Sequence, residues 1–188
     1  PVINALTDLY HPCQALCDFM TILEHKGRLE GIRLAYIGDG NNMCHSLMIG
    51  AAKLGVHIAI ASPPGYGPDE EVVQLTLQDI EKRGGSLTIT EDPKEAIADA
   101  DIVYTDVWAS MGMEAEQKER EIAFRNYQVN EELVKYAKKD YLFMHCLPAH
   151  RGEEVSEGVI DGDHSIIYDQ AENRLHAQKA IMAALMQD

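Results

Sequence analysis

Five short apolar runs recur along this chain, each separated from the next by a segment long enough for a helix or a structured loop. They are Arg33-Leu34-Ala35-Tyr36-Ile37, Val56 to Ala61, Leu87-Thr88-Ile89-Thr90, Ile102 to Thr105 and Tyr141 to Met144. Alternation of this kind places strands in a mostly parallel sheet with helices on both faces. The expected fold is therefore α/β, Rossmann-like and doubly wound. Helices are predicted from Pro12 to near Gly27, Met43 to Leu54, Asp69 to Arg83, Pro93 to Ala98, Glu114 to Phe124, Glu131 to Ala137 and Glu172 to Met186. Pro12 suits a first turn, and Gly27, Gly55 and Gly84-Gly85 suit helix ends. Ile166-Ile167-Tyr168 reads as a further short strand. No repeat, low-complexity tract or linker divides the 188 residues, so they are expected to form one domain.

Charge narrows the partners. Sixteen Lys and Arg against 31 Asp and Glu leave a net charge of -15, which disfavours nucleic acid and anionic membranes as partners. No apolar run approaches the roughly 18 residues of a membrane-spanning helix. The four cysteines, Cys13, Cys17, Cys44 and Cys146, contain no C-x-x-C pair. Reduced thiols and a cytoplasmic location are expected. Pro1-Val2-Ile3-Asn4 has neither an initiating Met nor a signal-peptide layout, so a processed chain or a fragment is expected.

In a doubly wound sheet, ligands bind outside the carboxyl ends of the strands. Three polar clusters fall there: Gly38 to Asn42, Asp106 to Gly112, and His145 to Arg151. The first resembles a dinucleotide fingerprint, but Met43 stands where its third glycine should be. Ile60-Ala61-Ser62 likewise stands where an acidic residue should close the second strand. Nicotinamide binding is not expected, and Asn42 is either a helix cap or a ligand contact. In the second cluster, Asp106 suits an ammonium group, and Ser110 with the backbone N–H groups after it suits a carboxylate; together they make an amino-acid cradle. The bland alternative is a capping Asp and Ser with Trp108 in the core. In the third, His145, Cys146 and His150 invite a zinc reading, but Cys146 has no second Cys at ligand spacing, so no metal is expected. Cys146 is either structural or, beside cationic groups, a thiol of lowered pKa. A Cys146–His145 nucleophilic pair is disfavoured, because neighbours on a strand face opposite ways.

Taken together and in order, His11-Pro12-Cys13-Gln14, Gly38 to Asn42, Asp106-Val107-Trp108-Ala109-Ser110-Met111-Gly112, His145-Cys146-Leu147-Pro148 and Glu172-Asn173-Arg174 resemble the ornithine carbamoyltransferase family. Cys146 stands where the aspartate-specific relatives carry Pro, and Ser110-Met111-Gly112 favours an α-amino acid over putrescine. The resemblance implies carbamoyl transfer from carbamoyl phosphate to the δ-amine of L-ornithine, giving L-citrulline and phosphate with no cofactor and no metal. It implies catalytic roles for Cys146, Asp106 and His11. Asn42, Asp106, Ser110 and Met111 would bind ornithine. His11, Pro12, Cys13, Gln14, Cys146, Leu147 and Arg174 would meet carbamoyl phosphate, with the His11 ring as a donor to its carbonyl oxygen.

The family's Ser-x-Arg-Thr-Arg phosphate motif occurs nowhere in the chain. Arg174, helped by Arg151, is thin provision for a phosphate dianion. The chain is therefore read as the ornithine-binding half, with an interdomain helix near residues 11–25 and a returning helix near 172–186, and is expected to be inactive alone. Its expected partners are the N-terminal carbamoyl-phosphate domain and a homotrimer of the full enzyme. A non-catalytic amino-acid-binding module and a transferase for acetylornithine or putrescine are the alternatives.

Overall fold

The computed structural model describes residues 1–109 and 116–186. Five strands form one sheet: β1 (Arg33–Ile37), β2 (His57–Ala61), β3 (Ser86–Thr90), β4 (Ile102–Thr105) and β5 (Leu142–His145). Their order is β3-β2-β1-β4-β5 and every pairing is parallel, with Ala35 opposite Ala59 on one side and Val103 on the other. The central strands β1 and β4 are buried almost end to end, as strands covered on both faces must be.

Alternation along the strands sorts two cores. Leu34, Tyr36, Ile58, Ile60, Ile102, Tyr104 and Met144 face α1 (Pro12–Lys26), α2 (Asn42–Leu54) and α3 (Glu70–Arg83). Ala35, Ile37, Val103 and Phe143 face α4 (Pro93–Ile97), α5 (Gln117–Phe124) and α6 (Glu157–Ile160). The last helix, α7 (Ile167–Leu185), packs on α1 and β5. The doubly wound α/β expectation therefore holds. On α1, Ala15 and Phe19 are core and Leu16 is exposed, as are Met182 and Leu185 near the end of α7 and Met186 just beyond it.

Two expected elements differ. Residues 131–137 form only a single 3-10 turn, Val134–Tyr136. The Asn130 side chain accepts the Leu133 N–H at 3.0 Å, and the chain is then drawn to the sheet by Lys138, whose N–H reaches Ala100 O and whose Nζ pairs with Asp101 at 2.6 Å. No strand forms at Ile166-Ile167-Tyr168. Ser165 makes one bridge to Phe143, and α7 starts at Ile167, five residues before Glu172. Ile166 and Ile167 enter opposite cores, which anchors the start of that helix.

Candidate functional site

Strand order reverses between β1 and β4, and connections leave those two strands in opposite directions. The crevice this opens at their carboxyl ends is where α/β sheets hold ligands. Asp106 follows β4 directly and stands at that point. Its Oδ1 accepts the Val107 N–H at 2.8 Å and the Cys146 thiol at 3.0 Å. Its Oδ2 accepts the Asn41 side-chain amide at 2.8 Å. A carboxylate offers about four lone-pair directions, so three donors leave one for a cationic ligand. A cleft of about 500 Å³ opens beside it, lined by His11, Asn42, Asp106, Cys146, Leu147 and His150 among others.

The α2 cap is Asn41, one residue before the asparagine singled out in the sequence. Asn41 Oδ1 accepts the N–H groups of Met43 and Cys44 and, at 3.3 Å, the Tyr36 hydroxyl. One side chain thus starts the helix and holds the Asp106 carboxylate. Asn42 lines the cleft, with its amide donating to Thr7 O at 2.8 Å. Gly40 serves loop packing: a Cβ there would come within 2.2 Å of the Gly67 carbonyl carbon, and its N–H donates to Tyr66 O at 2.7 Å. The N–H groups of Gly40, Met43 and Cys44 are all engaged, so these three are not available to cradle a pyrophosphate.

Of the two readings of Cys146, the one with a lowered thiol pKa does not fit its surroundings. Burial, and then the adjacent Asp106 carboxylate, push it well above the usual thiol range. A protonated thiol donating to a carboxylate is neither nucleophile nor proton acceptor. His145 is fully buried. Its Nε2 faces Glu154 Oε1 at 3.2 Å, and its Nδ1 accepts the Leu147 N–H at 2.9 Å. One ring nitrogen of His145, the Cys146 sulfur and an Asp106 oxygen still fall within 4.8 Å of one another, as do one atom each of His150, Glu153 and Glu154. Both His145 nitrogens are already engaged and the Cys146 thiol donates to Asp106, so an ion at the first cluster would have to displace those bonds.

His11 lies at the start of α1 and lines the cleft. Burial holds its pKa below the ordinary histidine value, with the Arg174 charge acting in the same direction. Its Nδ1 lies 2.8 Å from Ala5 O. A carbonyl only accepts, so Nδ1 carries the hydrogen and Nε2 of the neutral ring is an acceptor. Donation from His11 Nε2 to a carbonyl oxygen would require a protonated ring.

The other residues of that segment point elsewhere. Pro12 lines a separate apolar groove between α1, α2 and α3. The Cys13 thiol approaches Asn4 O at 3.5 Å. Gln14 is buried, and its Nε2 donates to Asp18 at 2.9 Å. Arg174 is half-buried on α7 and close enough for its charge to act on both His11 and Asp18. Ser110 and Met111 lie outside the described residues.

Sequence reasoning missed Asn41, Glu154 and a buried ion pair. Arg120 of α5 reaches back 81 residues to Asp39 at 2.6 Å and also donates to Trp108 O at 2.9 Å, tying the loop after β4 to the loop after β1. Asp39 lies within the Gly38-Asp39-Gly40 turn, and a charge there beside a buried strand end was the available signal. Trp108 is core, stacked on Phe124 at 6.2 Å.

Fold and cleft together define a doubly wound α/β domain with a cleft at its switch point, beside a hydrogen-bonded carboxylate. Residues 30–185 match the family model for the Asp/Orn-binding domain of aspartate/ornithine carbamoyltransferases. The chain belongs to the aspartate/ornithine carbamoyltransferase family. It is 63% identical over 186 residues to an ornithine carbamoyltransferase of Anoxybacillus flavithermus and 59% identical over 186 residues to one of Thermococcus kodakarensis, covering 99% of this chain and 59% of each relative. Among solved structures, ornithine carbamoyltransferase from Pyrococcus furiosus aligns with a TM-score of 0.92 at 58% identity, over 95% of this chain and 57% of that one. The anabolic enzyme from Campylobacter jejuni aligns at 0.94 with 42% identity, over 98% and 61%. The chain thus spans about three-fifths of the relatives it matches.

Proposed function

We propose that this chain is the ornithine-binding half of a carbamoyltransferase that moves the carbamoyl group of carbamoyl phosphate to the δ-amine of L-ornithine, releasing L-citrulline and phosphate. The observation that carries the reading is the Asp106 carboxylate, fixed by Asn41, Val107 and Cys146 at the switch point with one acceptor direction left. The relatives named above, each an ornithine carbamoyltransferase, support the choice of substrate.

The chemistry then divides among named groups. Asp106 takes an amino group of ornithine as an ammonium partner, with Asn42 on the same wall. The attacking δ-amine must be neutral, against a free-amine pKa of about 10. Water exclusion lowers that value, whereas a nearby carboxylate raises it. Cys146 stays protonated and steadies Asp106, so it takes no proton from the amine. Neutral His11, with its hydrogen held by Ala5 O, has Nε2 as the only unspent base among these three. Arg174 meets the phosphate. The remaining phosphate contacts belong to a carbamoyl-phosphate domain, and the working assembly is a homotrimer.

The test is citrulline formation from L-ornithine and carbamoyl phosphate by the whole protein carrying this chain. Asp106→Asn keeps a neutral acceptor but removes the charge, and should raise the KM for ornithine about 10- to 100-fold, the usual worth of a charged hydrogen bond. Equal turnover of putrescine or acetylornithine, or an unchanged KM, would overturn the reading.

A further inference from the structure

The turn after β5 carries Cys146, Leu147 and Pro148 into the cleft, and a residue outside the cleft chemistry braces it from both sides. Glu154 is fully buried, as is the His145 ring it faces. Glu154 Oε1 meets His145 Nε2 at 3.2 Å and also accepts the His150 N–H at 2.6 Å. His145 in turn accepts the Leu147 N–H on Nδ1 at 2.9 Å. One carboxylate oxygen therefore holds the strand side of the turn through an imidazole and the far side through a backbone N–H. Between these two points the backbone does something unusual. Leu147 has φ +57°, the left-handed region that a branched side chain seldom adopts, and such a conformation persists only where surroundings over-determine it.

The hydrogens can be assigned by elimination. The Leu147 N–H can only donate, so Nδ1 is bare and the neutral ring carries its hydrogen on Nε2. That hydrogen is donated to Glu154 Oε1. A carboxylate on one ring nitrogen fixing the tautomer that the other nitrogen needs is a general way of orienting an imidazole.

We infer that Glu154, acting through His145, is a positioning residue that sets the conformation of the Leu147-Pro148 turn and so the placement of Cys146 and Leu147 in the cleft. The functional consequence rests on the carbamoyltransferase reading; the bracing itself does not. Among the described residues the Glu154 side chain bonds to His145 and His150 and not to Asp106 or His11, so its effect on the cleft runs through the turn.

Two readouts separate these levels. In the ¹⁵N-histidine-labelled chain, the His145 ring should show one protonated nitrogen, Nε2, and one bare nitrogen, Nδ1. Glu154→Gln keeps an oxygen acceptor of the same shape and should retain that tautomer. Glu154→Ala should accelerate hydrogen exchange at the Leu147 and His150 amides about tenfold, the loss of one hydrogen bond each. Exchange at the Phe143 amide, which lies on β5 and donates to His164 O, should not move, as it would if the variant were merely less stable. A hydrogen on Nδ1 in the unaltered protein would overturn the inference, and that measurement stands even if Glu154→Ala fails to fold. So would unchanged Leu147 exchange in a folded Glu154→Ala. In the whole protein, Glu154→Gln should restore citrulline turnover per folded molecule relative to Glu154→Ala. If no variant and no parent protein makes citrulline, the functional reading fails while the tautomer and exchange data still decide the bracing.

Discussion

Asp18 offers a quantitative test of how the elements beneath the cleft are held. It lies in the middle of α1 and is fully buried. Its Oδ1 accepts Gln14 Nε2 at 2.9 Å and Gln170 Nε2 at 2.7 Å, and its Oδ2 accepts the Tyr104 hydroxyl at 3.0 Å. Gln170 Oε1 goes on to accept the His145 N–H at 2.9 Å. One carboxyl thus joins α1, α7, β4 and, through Gln170, β5, four elements that carry or lead directly into candidate site residues. Burial raises its pKa from 3.8 to about 6, with the three donors and the Arg174 charge pulling the other way.

A raised acid pKa means the folded state binds more protons than the unfolded state across the interval between the two values. The stability this group contributes is fully present below about 3.8 and is lost as pH rises through about 6. Two units correspond to about 3 kcal/mol at neutral pH. Asp18→Asn removes that ionisation. Its amide oxygen still serves Gln14 and Gln170, but Tyr104 loses its acceptor, which costs about 1 kcal/mol. The variant should therefore be less stable than the parent by about 1 kcal/mol near pH 4 and more stable by about 2 kcal/mol near pH 7, with the curves crossing between. Urea unfolding of both proteins at half-unit steps from pH 4 to 7.5 measures the difference directly, because titrations remote from Asp18 cancel. A difference that does not change with pH would refute the argument.

Two further outcomes follow from the same physics. Arg120→Met strands the buried Asp39 carboxylate and should cost about 3–5 kcal/mol near neutral pH. Burial already holds the Asp39 pKa above its ordinary value, and losing the guanidinium raises it further, so the deficit should shrink toward acid pH. Chemical denaturation at pH 5 and pH 8 checks the sign, and an equal deficit at both would contradict it. Cys146, with its pKa driven up by burial and Asp106, should react with iodoacetamide at pH 7 far more slowly than a free thiol and continue to accelerate through pH 9. Peptide mass spectrometry resolves it from Cys13, Cys17 and Cys44, and a rate that plateaus near neutral pH would be inconsistent with a thiol donating to Asp106.

What could be read in the sequence divides along the distance over which each feature is decided. The strand at Arg33–Ile37, the helix end at Gly27 and the carboxyl-edge loops are set by neighbours a few residues away, and their periods and breakers announce them. The 131–137 segment has a helical composition, yet it stops after one turn because Asn130, Ala100 and Asp101 compete for its backbone and for Lys138. At the site the same division is sharper. That Asp106 matters is visible from its place after a buried run. That Asn41 rather than Asn42 caps α2 turns on a single residue of register, and both spellings fit an N-terminal pattern.

The sign of the Cys146 shift was beyond any local reading. A cysteine flanked in sequence by His145 and followed by His150 and Arg151 looks electropositive. In space, its nearest charged partner is a carboxylate 40 residues earlier, while His145 turns its nitrogens to Glu154 and to the Leu147 N–H. Charges adjacent along a strand alternate faces, and the sheet decides which charges a thiol meets. The same rule that spoils local electrostatics makes the site buildable. Parallel order brings β1, β4 and β5 to one edge, so short loops from distant parts of the chain converge there. Side chains that are uninformative separately, such as Asn41, Asp106 and Cys146, then become one hydrogen-bonded set.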